Sequence, residues 1–431
     1  MSSSTIESTV AEMAAETGAT RRTIPAGVFW AICVLGVVAG GYYIEQLIVA
    51  RQAVLHLMDL GVYQIAGQRV SDGTSVYDTP LLGNTRGVWE FVYTPFAALL
   101  FVPLVALHGD LFTYVGGLAN FAMLIATVWT ALAMLDYRRD RRLVLLSVAV
   151  AALLLWCEPV RETMAFGQIN IFLMLLVLAD MAMPDSSRWK GALTGIAAGI
   201  KLTPAFFVIY LLVTRRYRAA ATAIGAFAAT VLVGFAAMPK DSLTYWSGAF
   251  VDPARVGVPE IVSNESLRGM VARSVGVQGV YQLLWLAAAA AIAVVGLTLA
   301  RRLSFTGHEL SAVVLCGLIM ATVSPFSWVH HWVWLAPLLI YSTDLALRRG
   351  GVLAPAGLVV AVVVTSGGLL NFYDPAIVSV FDASKGNLTV WCRNAYIWLT
   401  FALLAVTAWQ LRRAADRTAV RTTNIEARSE I

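Results

Sequence analysis

Long runs of apolar residues, separated by short polar stretches, dominate the chain from about residue 26 to residue 411. A helix of about 20 apolar residues is long enough to cross about 30 Å of hydrocarbon. The clearest runs are Ala26 to Val49, Leu111 to Leu135, Tyr281 to Ala300 and Val352 to Leu370. The pattern therefore predicts an all-α, polytopic membrane protein.

Composition supports this prediction and argues against a nucleic-acid partner. Of 431 residues, 59% are hydrophobic and only 13% are charged, which is about half the charged share of a soluble domain. The net charge is +5, but the basic residues form small clusters between apolar runs instead of one continuous stripe. The four cysteines lack the paired spacing of a metal site or a disulfide framework, so we interpret them as packing residues: Cys33, Cys157, Cys316 and Cys392.

The orientation of the chain follows from where the basic residues lie. Five short connectors hold more Lys and Arg than four much longer loops, and cytoplasmic loops are the ones that carry such an excess. We therefore assign these connectors to the cytoplasm: Asp136 to Arg142, Pro184 to Lys190, Thr214 to Arg218, Arg301 to Glu309 and Asp344 to Gly350. The long loops are assigned to the external side: Ala50 to Asp110, Glu158 to Gln168, Met238 to Gly276 and Asn371 to Val390.

Alternation between the two sides requires that two apolar segments do not cross the membrane singly. Phe91 to Leu107 contains Pro95 and Pro103, and we expect a re-entrant or juxtamembrane helix in the first external loop. Gly191 to Val213 has basic residues at both ends and is interrupted at Lys201 to Pro204. A bent pair of short helices that returns to the cytoplasm is predicted there.

The resulting organisation has about twelve transmembrane helices and two cytoplasmic termini. Residues 1–24 contain no apolar run, so we expect a disordered cytoplasmic segment without a cleavable signal peptide. Residues 25–411 are predicted to form one integral membrane domain. Residues 412–431 are predicted to form a polar cytoplasmic tail.

Unusual polar residues concentrate on the predicted external side, and ionisable groups that converge at a membrane boundary are typical of a water-filled functional cavity. Cations there are suited to binding a phosphate group. The alternative for Arg161 with Glu162, and for Glu265 with Arg268, is a surface ion pair; for each histidine it is a buried structural role. The candidate residues for binding a donor phosphate or sugar are Lys201, Arg161, Arg268, His330, His331, Gln168, Asn170 and Asn264.

Asp59 is the candidate catalytic residue, because it follows the first span in the apolar stretch HLMDLGVY. A carboxylate in this position can act as a general base that removes a proton from an attacking hydroxyl group. The alternative is an N-cap of a juxtamembrane helix. The sequence contains no nucleotide-binding loop, no HExxH and no cysteine cluster. We therefore expect neither a metal nor a cofactor, and no nucleotide substrate.

Six strings in order give the chain a resemblance to the integral-membrane C-type glycosyltransferases. They are DLGVY followed by VYDTP, FVYTPFAALLFVPL, PVRETMAFGQIN, GIKLTPAFF, SNESLRG and SPFSWVHHWVW. Specifically, the chain resembles glycosyltransferase family 87, the polyprenol-phosphate-mannose-dependent mannosyltransferases of the actinobacterial envelope. The resemblance covers most of the chain.

This resemblance implies a mannose donor on a polyprenyl phosphate, presented at the external face of the plasma membrane, and an inverting transfer to a glycolipid acceptor. Asp59 matches the catalytic acidic position of the family. The implied product is an α-(1→2)-linked mannose on a phosphatidylinositol mannoside, or on lipomannan or lipoarabinomannan. The alternatives are an arabinofuranosyltransferase with a polyprenyl-phosphate donor, a transporter or flippase for lipid-linked sugars, and a non-catalytic scaffold.

Overall fold

The structure is a computed structural model that describes residues 21–84, 87–252, 255–261, 263–276, 278–348, 350–367 and 394–429. Side chains are described for these residues except Asn84, Gly87 and residues 417–429. Most of the predicted N-terminal segment, the predicted loop Asn371 to Val390 and Cys392 lie outside the described residues.

The described chain is mostly helical, as predicted. Its first helices, up to the predicted bend near Lys201, are α1 (Ala26–Val54), α2 (Met58–Ser71), α3 (Pro95–Phe101), α4 (Gly109–Met134), α5 (Arg141–Leu154), α6 (Glu158–Phe166), α7 (Asn170–Met181) and α8 (Ala192–Ile200). The remaining helices are α9 (Phe206–Val213), α10 (Tyr217–Ala237), α11 (Pro239–Ser247), α12 (Leu267–Val275), α13 (Val280–Phe305), α14 (Glu309–Val323), α15 (Leu335–Arg348), α16 (Leu353–Thr365) and α17 (Ala395–Ser429).

Short 3₁₀ segments and one hairpin complete the fold. The 3₁₀ segments are Val102–Ala106, Thr203–Ala205, Ala249–Val251 and Val329–Trp334. Strands β1 (Leu82–Asn84) and β2 (Gly87–Trp89) form the antiparallel hairpin in the predicted first external loop.

Four of the described helices, α1, α4, α10 and α13, are long and apolar enough to cross a membrane. They carry large apolar side chains on the surface; Val37 and Ile48 of α1, for example, are 75% and 79% exposed. Such a surface is stable only when an apolar solvent or a partner covers it. The chain is therefore a membrane protein, and α5 with α6 forms a fifth, broken candidate span that is bent by 86°.

The segment Glu158 to Gln168 differs from its prediction as a loop, because most of it forms α6. Pro159 lies in the first turn of this helix, where its missing N–H costs nothing. Gly167 ends the helix with a φ of 67°, which a glycine adopts without steric strain. This turn redirects the chain so that Gln168 follows at the bend.

The predicted break in Gly191 to Val213 is confirmed. Helix α8 ends at Ile200, Lys201 adopts extended backbone angles, and a 3₁₀ turn with Pro204 leads into α9. Pro204 has no backbone N–H to donate to the carbonyl of Ile200 four residues earlier, which explains why the α-helix stops there. Helix α8 packs so closely against α10 that a side chain at position 195 would collide with the backbone of Ala223. Gly195 therefore permits this contact.

Candidate active site

Helix α2 carries Asp59 in its first turn, and two contacts hold this turn against the end of α6. The backbone N–H of Leu57 donates to the carbonyl of Ala165 at 2.7 Å. The absence of a side chain at Gly167 leaves room for Leu60. Leu57, and not Asp59, is the residue that caps α2, and its side chain makes no capping bond. The alternative interpretation of Asp59 as an N-cap is therefore wrong.

The carboxylate of Asp59 is bound to the side chain of Gln168. The amide nitrogen of Gln168 donates to Oδ2 of Asp59, and its amide oxygen lies 2.8 Å from the hydroxyl of Tyr63 and 3.1 Å from that of Tyr93. The two hydroxyls are themselves 2.6 Å apart, so one of them donates to the other. The second hydroxyl is left to donate to the amide oxygen, and the opposite side of the amide presents its NH₂ group to Asp59.

Lys201 lies at the break between α8 and α9 and enters the same network. Its Nζ is 3.1 Å from Oδ1 of Asn170, 3.0 Å from Nε2 of His331 and 3.5 Å from the hydroxyl of Tyr93. It also lies 5.1 Å from the centre of the Tyr93 ring, which is within the range of a cation–π contact. An ammonium group has only donors, so the contact with His331 requires an unprotonated Nε2.

Residues from α2, α7, α8 and the 3₁₀ segment Val329–Trp334 thus converge on one polar pocket. We call it the Asp59 pocket and define it as Asp59, Tyr63, Tyr93, Gln168, Asn170, Lys201 and His331. A cavity of about 30 Å³ adjoins Asn170 and His331, and its other walls include Met174, Pro204 and Trp334. The pocket therefore borders an apolar space.

The pKa of Asp59 is raised to about 6, because burial disfavours the charged carboxylate. The hydrogen bond from Gln168 and the positive charge of Lys201 oppose this effect. A carboxylate with a pKa of about 6 is mostly ionised at neutral pH and accepts a proton more readily than an ordinary aspartate. The arrangement supplies a proton acceptor and a cation within one partly dry pocket.

Arg161 and His330 lie beside this pocket, along α6. The guanidinium of Arg161 is next to Glu158, and both side chains pack against Gly367. His330 is adjacent to His331, with 4.9 Å between the ring centres, and its ring lies 5.6 Å from that of Phe166.

Arg268 and Asn264 make other contacts. The guanidinium of Arg268 lies 5.3 Å from the Trp285 ring centre and 5.5 Å from that of Phe326. Asn264 bonds to backbone atoms around Pro259, Pro325 and Ser327, which fixes two loops to each other. Among the described contacts, none joins either residue to Lys201 or Asp59.

Tyr63 and Tyr93 are site residues that were not selected from the sequence. Tyr63 is four residues after Asp59 on one helix, a spacing that places both side chains on the same face. That spacing was the available signal for Tyr63, whereas the bond from Tyr93 to Gln168 joins distant parts of the chain.

Comparison with known proteins identifies the family. The sequence model of glycosyltransferase family 87 matches residues 91–325, which is more than half of the chain. The chain belongs to glycosyltransferase family 87. The matched region of this family 87 glycosyltransferase contains Gln168, Asn170 and Lys201, whereas Asp59 precedes it and His331 follows it.

Curated relatives extend the match over most of the chain. A polyprenol-phosphate-mannose-dependent alpha-(1-2)-phosphatidylinositol mannoside mannosyltransferase of Mycobacterium tuberculosis is 31% identical over 366 residues, which cover 81% of this chain and 84% of that protein. Its namesake in Mycolicibacterium smegmatis is 31% identical over 88% of this chain and 89% of that protein. A second M. tuberculosis protein, named as a phosphatidylinositol pentamannoside mannosyltransferase, is 33% identical over 81% of this chain and 80% of its own length. No solved structure matches this family 87 chain.

Proposed function

We propose that this chain transfers mannose from polyprenyl-phosphate mannose to a hydroxyl group of a phosphatidylinositol mannoside and forms an α-(1→2) linkage. The names of the relatives support the donor, the acceptor class and the linkage. The observation that carries the proposal is the pocket in which Gln168 holds Asp59 while Asn170 and His331 hold Lys201.

In the proposed reaction Asp59 is the general base. Its carboxylate accepts the proton of the acceptor hydroxyl as the oxygen attacks the anomeric carbon of mannose, and the bond from that carbon to the phosphate oxygen breaks. The transfer inverts the anomeric configuration. A general base of this kind accounts for a rate factor of about 10² to 10⁴.

Lys201 is proposed to bind the phosphate of the donor and to stabilise the negative charge that the leaving phosphate gains. A half-buried ammonium group that bonds only to neutral partners among the described residues is suited to an anion, because the low dielectric strengthens the attraction. Tyr93, Asn170 and His331 position Lys201. Gln168 positions Asp59 and favours its charged form.

The sequence also assigns Arg161, Arg268, His330 and Asn264 to donor binding, and these assignments stay predictions. Proximity to His331 supports His330. The contacts of Arg268 and Asn264 favour a structural role for these two residues.

We further propose a C-type architecture of about twelve membrane helices within residues 25–411, with residues 412–431 as a cytoplasmic tail. The distribution of basic residues supports two cytoplasmic termini and a site at the external face of the plasma membrane. The broken segments at Pro95, Pro103 and Pro204 are proposed to leave a lateral opening for the prenyl chain. The apolar walls of the cavity next to Asn170 and His331 support this path.

A transfer assay tests the proposal. Purified protein is incubated with radiolabelled polyprenyl-phosphate mannose and a panel of mannosylated phosphatidylinositols, and the product is analysed for its linkage. The expected product is an α-(1→2)-mannoside. Transfer only from a polyprenyl-phosphate arabinofuranose donor, or movement of a lipid-linked sugar between leaflets without transfer, would contradict the proposal.

A further inference from the structure

A second polar cluster lies along α6. We call it the glutamate cluster and define it as Glu158, Glu162 and Glu265. Glu158 and Glu162 are one turn apart on α6, and Glu162 is about 6 Å along the helix axis from Phe166, the last helical residue before the bend to Gln168. The charges of Glu158 and Glu162 both act on Glu265. His330, whose backbone bonds to Thr163 of α6, is adjacent to His331 of the Asp59 pocket and so joins the cluster to that pocket.

Glu265 is the most unusual member of this cluster. It is only 6% exposed, and its backbone N–H donates to the carbonyl of Ser327 at 2.7 Å. Within the described residues, no donor reaches its Oε2. Buried carboxylates are otherwise almost always hydrogen-bonded, so an unpaired oxygen needs an explanation. Burial, reinforced by the nearby charges of Glu158 and Glu162, raises the pKa of Glu265 well above its usual range.

Two further buried polar atoms without a partner flank the cluster. Nε1 of Trp332 has none among the described residues, and the Trp332 ring lies 5.5 Å from the ring of Tyr396, whose hydroxyl donates to Glu158. Nε2 of His330 is likewise unpaired, and Thr163 of α6 bonds to the His330 backbone. The three unpaired atoms are an acceptor on Glu265, a donor on Trp332 and, on His330, an atom whose role depends on the tautomer.

This set of atoms selects a class of ligand. The cations nearest the cluster already have partners, since Arg161 lies next to Glu158 and Arg273 donates to the carbonyls of Ile261 and Asn264, so a phosphate group gains little there. An indole N–H has no bond to offer a cation. In the described part of the chain, no group of three acidic, histidine or cysteine residues is arranged to hold a metal ion. Sugar hydroxyl groups both donate and accept, so they satisfy the acceptor and the donor together. Half-buried Arg161 and Glu162 leave the cluster open on one side.

We propose that the glutamate cluster, with Trp332 and His330, is an acceptor subsite that binds the hydroxyl groups of a mannose residue of the acceptor next to the one that receives the new sugar. This inference rests on the proposed mannosyl transfer. In this proposal, the cation of Lys201 binds the phosphate of the donor, and the carboxyl groups of the glutamate cluster bind hydroxyl groups of the neutral acceptor glycan. The first turn of α2, which carries Asp59, is bound to the end of α6.

The test compares a short and a long acceptor. The Michaelis constants of an alkyl mannoside and an alkyl mannotrioside are measured with saturating polyprenyl-phosphate mannose for the wild type, Glu265→Gln and Trp332→Phe. We expect the wild type to favour the trioside. Each variant should raise the KM of the trioside about tenfold more than the KM of the monoside, because only the longer acceptor reaches the cluster. Glu260→Gln, a half-buried carboxylate of the same loop, is the matched control and should keep the wild-type ratio.

The outcomes separate this inference from the proposed function. A wild type that transfers mannose to neither acceptor would overturn the proposed function. A wild type that transfers to both, with variants that keep its KM ratio or that raise the KM of the donor instead, would overturn the subsite alone. A requirement for a divalent cation that Glu265→Gln abolishes would replace the subsite by a cation site. Should Glu265→Gln fail to fold in detergent, Trp332→Phe alone decides the test.

Discussion

Two lysines in this chain, the buried Lys190 and the half-buried Lys201, are held in opposite ways. Lys190 is 3% exposed, and its Nζ lies 2.9 Å from a carboxylate oxygen of Asp185 and 2.6 Å from the carbonyl of Met183. Asp185 also pairs with Arg216. Arg216 in turn forms a bidentate ion pair with Glu309, with N–O distances of 2.7 and 2.9 Å. We call these four charged residues the ionic network.

Lys201 in the Asp59 pocket has no carboxylate in direct contact among the described residues, although the charge of Asp59 acts on it across the pocket. Among the described residues its Nζ is bonded only to neutral partners, and no carboxylate forms an ion pair with it. A largely buried charge without a direct ion pair is costly for stability. The comparison teaches that a lysine in a direct ion pair connects helices in this protein, and we propose that the lysine without such a pair binds an anionic ligand.

The largest expected effect is that of Asp59→Asn. An asparagine preserves the shape and a hydrogen bond to Gln168 but cannot accept a proton. We expect kcat to fall by about 10³-fold. The variant should keep the gel-filtration elution profile and the unfolding temperature of the wild type. Retention of more than a tenth of wild-type turnover would exclude Asp59 as the base.

The next effect distinguishes the two lysines. Lys201→Met should lower kcat/KM by about 10²-fold through the donor KM, because the phosphate loses its cation, and should not lower the unfolding temperature. The matched variant Lys190→Met should keep the donor KM but should destabilise the protein by about 2 kcal/mol, because Asp185 and two carbonyls lose their donor.

Kinetics with varied donor and thermal unfolding in detergent measure both variants. The comparison fails if Lys201→Met proves as destabilising as Lys190→Met while its donor KM is unchanged.

A third effect concerns pH. Asp59 must be ionised to act as a base, so kcat/KM should rise with pH through an apparent pKa of about 6 and should be lost below it. Gln168→Leu removes a hydrogen bond that lowers the pKa of Asp59, so the acid limb should move to higher pH by about one unit. Gln64→Leu is the control on the same helix, since within the described part of the chain the side chain of Gln64 bonds only to the carbonyls of Leu104 and Leu107. If Gln168→Leu leaves the acid limb of the pH profile unchanged, that limb does not report the ionisation of Asp59.

The smallest effect is expected for Arg268→Ala. Loss of the contacts with Trp285 and Phe326 should cost about 1 kcal/mol of stability. The donor KM should change by less than about threefold, because no described contact joins the half-buried Arg268 to Lys201 or Asp59. An increase of tenfold or more, measured in the same kinetics, would instead support the assignment of Arg268 to donor binding.

The sequence predicted the parts of the fold and site that depend on local signals. Apolar runs predicted helices, Pro204 predicted the break at Lys201, and the placement of Asp59 after the first span singled it out. These features are encoded by neighbouring residues, which is why they can be read without knowing which helices touch.

Contacts between distant residues were not predictable in the same way. Tyr63 bonds to Gln168 across 105 positions, and Glu265 lies beside residues of α6 more than 100 positions earlier. The pattern EPVRETMAFGQIN contains few apolar residues and suggested a loop, although tertiary packing makes it helical. The polar residues were visible in the sequence, but their partners depend on the fold.

The central claim is that Asp59 performs the chemistry while Lys201 holds the phosphate. The most direct measurement is the equilibrium affinity of the purified protein for polyprenyl phosphate, compared between Asp59→Asn and Lys201→Met. Asp59→Asn should bind the lipid at least as tightly as the wild type, and Lys201→Met at least about tenfold more weakly. Equal affinity in both variants, or a loss confined to Asp59→Asn, would contradict the account.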